Sequence, residues 1–357
     1  LKPLLSTIFT NPQLALELDS NQWDYLIRQA RNGNVLARLG YILEEARLLG
    51  QIPIKPFLHI RSAQIYFERF YISLQREIVI INGVLKSINV PLVLLKGSAY
   101  VVQNDTAAKG RIFSDVDILV PEEKLYEVEI ALLKEGWFCN TLDPYDNKYY
   151  RKWMHEIPPL RHLKRQTSID VHHNILPKIA RFCPDAKQLM ANIVKNREHD
   201  LWVLSREDRV LHSAIHLFHE GDFKYGFRDL SDLDLLLKEF SQQEGFWEKL
   251  LQRAKVLRQG MPLYYALRYT HLILKTPIPN KILQLSASQA CNKLNIRLMD
   301  SLFLRALLPD HKSCNDRWTG LARWVLFVRS HWLKMPLYLM IPHLFRKTFK
   351  RMFSKDQ

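Results

Sequence analysis

The sequence predicts an α+β protein, with a mixed β-sheet core held between helical N- and C-terminal regions. Three observations lead there. Apolar residues recur at three- and four-residue spacing through residues 1–89 and again beyond Pro177, the period of amphipathic helices. Between those regions, short apolar runs rich in strand formers alternate with polar connections. The chain has 357 residues, 47% hydrophobic and 24% charged, which excludes a disordered or fibrous polymer and allows two domains or one core with large helical additions. The changes of period divide it into a helical region over 1–89, the core over 90–177, a helical domain over 178–320 and a basic, aromatic tail over 321–357.

NQWDYLIRQARNG and IYFERFYISLQREIVIINGVLKS are the helices of the first region, the second running to about Asn89, ahead of Pro91. LVLL begins the core as a strand, GSAYVVQN opens a helix, and IFSDVDILV is a second strand. PEEKLYEVEIALLKEG reads as a helix, with Pro121 at its start, acidic residues in its first turn and Gly136 at its end. WFCNTL, YYRKWMHEI and TSIDVHHNIL then read as three strands. Past Pro177 the pattern returns to helix in REDRVLHSAIHLFHEG, FRDLSDLDLLLKEF, GFWEKLLQRAKVLRQG and PLYYALRYTHLILK.

The charges that interrupt the strands are the informative ones. In a strand, residues i and i+2 point to the same face, so Asp115 and Asp117 project side by side while Val116 and Ile118 face the core. Two adjacent carboxylates repel unless one is protonated or a cation lies between them. Magnesium takes oxygen ligands and is commonly shared between one or two carboxylates and substrate phosphates. Asp170, in TSIDVHHNIL, is a third acidic residue in a strand-like pattern. If its strand lies beside Asp115 and Asp117, the three hold two ions about 3.5–4 Å apart, which suits phosphoryl or nucleotidyl transfer, and Asp170 is placed to deprotonate or orient a nucleophile. Gly97 and Ser98 fall where a strand turns into a helix, a place where backbone amides receive phosphate, and Lys96 or Arg111 would neutralise a triphosphate or pyrophosphate. The spacing is not that of a Walker loop.

LLKGS, followed by RIFSDVDILV and IDVHH, resembles the nucleotidyltransferase superfamily that includes DNA polymerase beta. Within it, the chain is most similar to uncharacterised bacterial nucleotidyltransferases found near polysaccharide and peptide-product biosynthesis genes. The resemblance covers about residues 90–175. It implies that Gly97 and Ser98 hold nucleotide phosphates, that Asp115 and Asp117 bind the metals, and that Asp170 completes the triad. Arg111 matches an arginine that commonly precedes the paired aspartates. Two departures stand out: a long stretch between Ser98 and Asp115, and DVHH in place of the more usual Asp-apolar-His-Trp. The implied activity is magnesium-dependent transfer of a nucleoside monophosphate from a nucleoside triphosphate to an unidentified acceptor. Two alternatives stay open: a transferase that modifies protein with a nucleotidyl or phosphoryl group, and a non-catalytic nucleotide-binding scaffold at a membrane-associated complex.

The remaining signals have structural readings. Asp232 and Asp234, two apart on a helix, do not face each other, and a solvated face or a bridge to Arg228 is expected. His212 and His216 have a spacing that can bind zinc but no HExxH glutamate, so packing is expected. Of His172 and His173, only His172 shares the face of Asp170. Four scattered cysteines, no signal-peptide pattern and no apolar run of spanning length read as a cytoplasmic protein. The net charge of +15 favours anionic partners, nucleic acid among them. Residues 323–354 mix aromatics with basic side chains, which suits either an anionic membrane surface or a last core helix with a solvated basic end.

Overall fold

The structure is a computed structural model and describes residues 3–139, 143–196, 198–290 and 293–336. Four helices form the N-terminal layer: α1 (Leu4–Thr10), α2 (Ser20–Asn32), α3 (Leu36–Glu45) and α4 (Ile54–Ser87). Asp19 starts α2 with a capping box: its carboxylate accepts from the Gln22 N–H at 2.8 Å, and the Gln22 side chain accepts in return from the Asp19 N–H. α4 is 34 residues long and runs against α2, α3 and a later helix, α6 (Leu125–Lys134), so it spans from the N-terminal layer to the core.

The core is one seven-stranded mixed sheet. Its strands are β1 (Val93–Leu94), β2 (Asp115–Leu119), β3 (Trp137–Cys139), β4 (Leu160–His162), β5 (Ser168–His172), β6 (Ile193–Lys195) and β7 (Trp202–Leu204). They lie in the order β3-β4-β5-β2-β1-β7-β6. β2 sits at the centre, antiparallel to β1 and parallel to β5. α5 (Lys96–Gln103) leaves the end of β1 and packs on β2.

This sheet departs from expectation in two places. YYRKWMHEI is not a strand: its first part belongs to helix α7 (Pro144–Trp153). The Asp143 carboxylate accepts from the Tyr145 N–H at 2.9 Å and Pro144 occupies the first helical position, so local start chemistry outweighs the strand preference of the aromatic residues. The sheet also continues past Pro177, where the β6–β7 hairpin joins β1 through a parallel pairing of β7. Both strands are three residues long, too short for an alternating pattern to register.

The C-terminal helices are α8 (Ala186–Met190), α9 (Arg206–His219), α10 (Gly226–Phe240), α11 (Phe246–Val256), α12 (Gly260–Leu274), α13 (Asn280–Ala290), α14 (Lys293–Ala306) and α15 (Thr319–Lys334). α9 is the layer's link to the sheet, touching α5 and β7 on one side and α10, α11 and α12 on the other. α15 buries Ala322, Leu326 and Ser330 and lies against α9. Two of its basic groups are used internally: Arg329 donates to the Phe218 carbonyl at 3.0 Å and Lys334 pairs with Glu220 at 2.8 Å. The rest of the predicted membrane-facing tail, from residue 337 onward, lies outside the described residues. Among the described residues no helix is long and apolar enough to cross a membrane.

Candidate functional site

The parallel pairing of β2 with β5 sets the geometry. Asp117 stands directly beside Asp170, and Asp115 beside Ser168. Partners across a parallel ladder point to the same face, and Val116 and Ile118 are buried on the other side. The three aspartates read from the sequence therefore converge. Asp115 stands close enough to Asp170 to disfavour a second negative charge there, and the Ser114 hydroxyl donates to Asp115 Oδ1 at 2.9 Å.

Two cationic or potentially cationic groups meet this cluster at one atom. Lys96 Nζ lies 2.8 Å from Asp117 Oδ1, and His172 Nε2 lies 2.9 Å from the same oxygen. Burial alone would raise the Asp117 carboxyl; Lys96 and His172 outweigh it and hold it well below the usual carboxylate range. Asp170 goes the other way. Its burial, with Asp117, Glu156 and Asp115 close by, pushes its carboxyl up to about 9. The cluster thus holds one firmly ionised carboxylate beside one that keeps its proton, the pattern of carboxylates that lack enough positive charge. Lys96 reaches Asp117 from a left-handed backbone, φ 45°, a conformation that costs a non-glycine residue about 1 kcal/mol or more and is found at functional sites.

The other predicted residues have different surroundings. Ser98 is buried and its hydroxyl donates to the Leu95 carbonyl at 2.8 Å. Gly97 lies under Arg111 and Phe113: a Cβ at this position would strike the guanidinium and the ring, so glycine is needed for that packing. No side chain caps the start of α5. Arg111 is buried and turned to α10, where its Nε donates to Asp232 Oδ2 at 2.6 Å.

Asp232 and Asp234 do not form a solvated face, and Arg228 is not their partner. Both are buried: Asp232 pairs with Arg38 at 2.7 Å and with Arg111, and Asp234 accepts from Lys238 at 2.8 Å and Thr276 at 2.7 Å. Arg228 pairs with Asp229 instead, at 2.8 Å. The physical reason is the supply of arginines: Arg38 from α3 and Arg111 from the segment before β2 enter the helical layer and neutralise α10 from within.

His172, on the face shared with Asp170, joins the cluster, whereas His173 turns away, its Nε2 3.2 Å from the Met154 carbonyl. His212 and His216 lie on α9; His212 is buried, and neither belongs to a group of three metal-ligating side chains among the described residues. Two such groups exist among those residues: Asp117, Asp170 and His172, and His155, Glu156 and His172. Sequence reasoning missed His155 and Glu156. The available signal was an adjacent His-Glu pair just before IPPL, hidden once the segment was read as a strand.

The comparison with known families decides the class. A family model described as an uncharacterised nucleotidyltransferase matches residues 19–275. The chain belongs to that family. The matched span holds every strand of the sheet, all three aspartates and helices α2 to α12, and leaves α13 to α15 beyond it. Membership supports nucleotidyl transfer as the activity and implies a nucleoside triphosphate as substrate. Beyond the family, no curated protein and no solved structure matches the sequence.

Proposed function

We propose that the protein transfers a nucleoside monophosphate from a nucleoside triphosphate to an acceptor hydroxyl or phosphate, releasing pyrophosphate, and that the reaction depends on magnesium. The observation that carries this reading is the in-register convergence of Asp115, Asp117 and Asp170 around a single lysine. Three carboxylates supply the all-oxygen donor set that magnesium prefers, so the residues fit the ion. Bound magnesium would supply the positive charge that returns Asp170 to its ionised form and neutralises the triphosphate.

The chain's own groups do the rest. Asp170, once ionised, takes the acceptor's proton as the acceptor oxygen attacks the α-phosphorus. The uncapped start of α5 offers backbone N–H groups to phosphate oxygens, with Ser98 contributing through its amide because its hydroxyl is already engaged. Lys96 holds Asp117 in place and supplies positive charge beside the phosphates. Arg111 acts from behind, pinning the start of α5 to α10 through Asp232.

The test is calorimetric titration of ATP, GTP, CTP and UTP with and without magnesium, on the wild type and on Asp115→Ala/Asp117→Ala. Magnesium-dependent binding of at least one nucleotide, lost in the double variant, is the expected result. Absence of binding by all four would leave a nucleotide-free scaffold as the better reading.

A further inference from the structure

His172 has a second ring nitrogen that the aspartate cluster does not use. Its side chain is 2% exposed, and Nδ1 makes no hydrogen bond although it lies 3.3 Å from Glu156 Oε2. His155 Nδ1 is likewise buried without a hydrogen-bond partner, and the two imidazole centroids are 5.3 Å apart. One ligand atom from each of His155, Glu156 and His172 falls within 4.8 Å of the others. The backbone holds them there: Glu156 forms an isolated antiparallel bridge with His172, the Ile157 N–H donates to the Val171 carbonyl at 3.0 Å, and the His173 N–H donates to the His155 carbonyl at 2.8 Å.

The tautomer sharpens the point. Asp117 Oδ1, which already accepts from Lys96 Nζ at 2.8 Å, accepts again from His172 Nε2 at 2.9 Å, so the ring's hydrogen lies on that side and the Nδ1 lone pair faces Glu156 Oε2 at 3.3 Å. A lone pair aimed at a carboxylate is repulsive unless positive charge stands between them. A metal ion can supply that charge, and so can a proton. We propose that His155, Glu156 and His172 form a binding site for a divalent transition ion of the zinc type, separate from the oxygen site of Asp115, Asp117 and Asp170 and joined to it through the His172 ring. Two imidazoles and one carboxylate select zinc-like ions over magnesium, and three protein ligands leave a coordination position open. Asp117 then plays the part of the carboxylate that orients a metal-bound histidine from its far nitrogen. The inference does not depend on nucleotidyl transfer.

Cobalt(II) is the probe. The metal-stripped full chain, kept in excess magnesium to fill the oxygen site, is titrated with cobalt while its visible absorption is followed. One equivalent should give the bands of a histidine-ligated, low-coordinate ion, and zinc should displace it. His155→Gln should abolish the bands, and Glu156→Gln, which removes the one carboxylate ligand, should weaken cobalt binding by more than the about 10–100-fold that loss of an outer-shell partner costs. Circular dichroism establishes that the variants fold, and should one fail, the other carries the test. Absence of cobalt bands in the wild type, or bands that survive in a folded His155→Gln, would overturn the site and leave a proton as the charge between His172 and Glu156. Magnesium-dependent nucleotide binding, measured separately, would be untouched by that failure.

Discussion

The chain carries two Asp-x-Asp sequences in apolar surroundings, Asp115-Val-Asp117 on β2 and Asp232-Leu-Asp234 on α10, and they serve different ends. On the strand, a two-residue step brings carboxylates to one face, and β5 adds a third. On the helix the same step turns the side chains about 200° apart, so Asp232 and Asp234 meet different neighbours. Those neighbours are cations or donors of the chain itself: Arg38 and Arg111 for one, Lys238 and Thr276 for the other. The β2 cluster has Lys96 and His172 against Asp115, Asp117, Asp170 and Glu156. Where the fold supplies the counter-charge, carboxylates tie layers together; where it leaves carboxylates in excess, the deficit invites a cation from outside.

Exchanging the charge in each pair should separate the two roles. Asp117→Asn is expected to lower nucleotidyl transfer on the order of 10⁴-fold, about 5 kcal/mol of transition-state stabilisation, while the protein stays folded. Steady-state kinetics with a melting curve checks it, and a loss of folding in step with activity would merge the two roles. Asp232→Asn should do the reverse. It takes from Arg38 and Arg111 the carboxylate they share, leaving Arg111 only Asp229 at 3.9 Å, and should cost about 3–5 kcal/mol in denaturant unfolding, with turnover per folded molecule falling far less than in Asp117→Asn.

Protons offer the third distinction. The Asp170 carboxyl, pushed up to about 9, is protonated at neutral pH, and a cation that favours its ionised form must expel that proton. Magnesium binding at about pH 7.5 should therefore release about one proton, and above about pH 10, where the group is already ionised, almost none. Calorimetry in buffers of different ionisation enthalpy reads this, and an Asp232→Asn protein should release the same proton. The smallest effect belongs to Asp234→Asn. Lys238 is partly exposed and Thr276 can still donate to the amide oxygen, so about 1 kcal/mol of stability is at stake.

How much of this was legible depended on whether the deciding interactions were local. The face shared by Asp115 and Asp117, and by Asp170 and His172, follows from strand periodicity alone, and the long helix α4 follows from its repeat and from Pro91 beyond its end. The partner of Asp232 could not be read that way. Helical spacing says that Asp232 and Asp234 diverge, but only the tertiary fold brings α3 close enough for Arg38 to bury one of them. The same holds for Arg111, which its position before the paired aspartates suggested as a phosphate ligand and which the packing around Gly97 turns towards α10. His155 and Glu156 were lost to a single error of period: read as strand residues they point apart, whereas in the connection after α7 they both reach His172.

The direct opposition of Asp117 and Asp170 across a parallel ladder has a consequence for how such a chain tolerates insertion and deletion. Among the described residues, α6, α7 and the β3–β4 pair lie between β2 and β5, with β4 and Glu156 themselves paired to β5, so a change of length confined to the connections between these elements leaves the β2–β5 ladder intact. A single residue gained or lost within β5 itself is another matter, because it sends Asp170 to the opposite face of the sheet. Insertions should therefore be tolerated best in the turns of those connections, where surface can be added without resetting the register of Asp117 against Asp170.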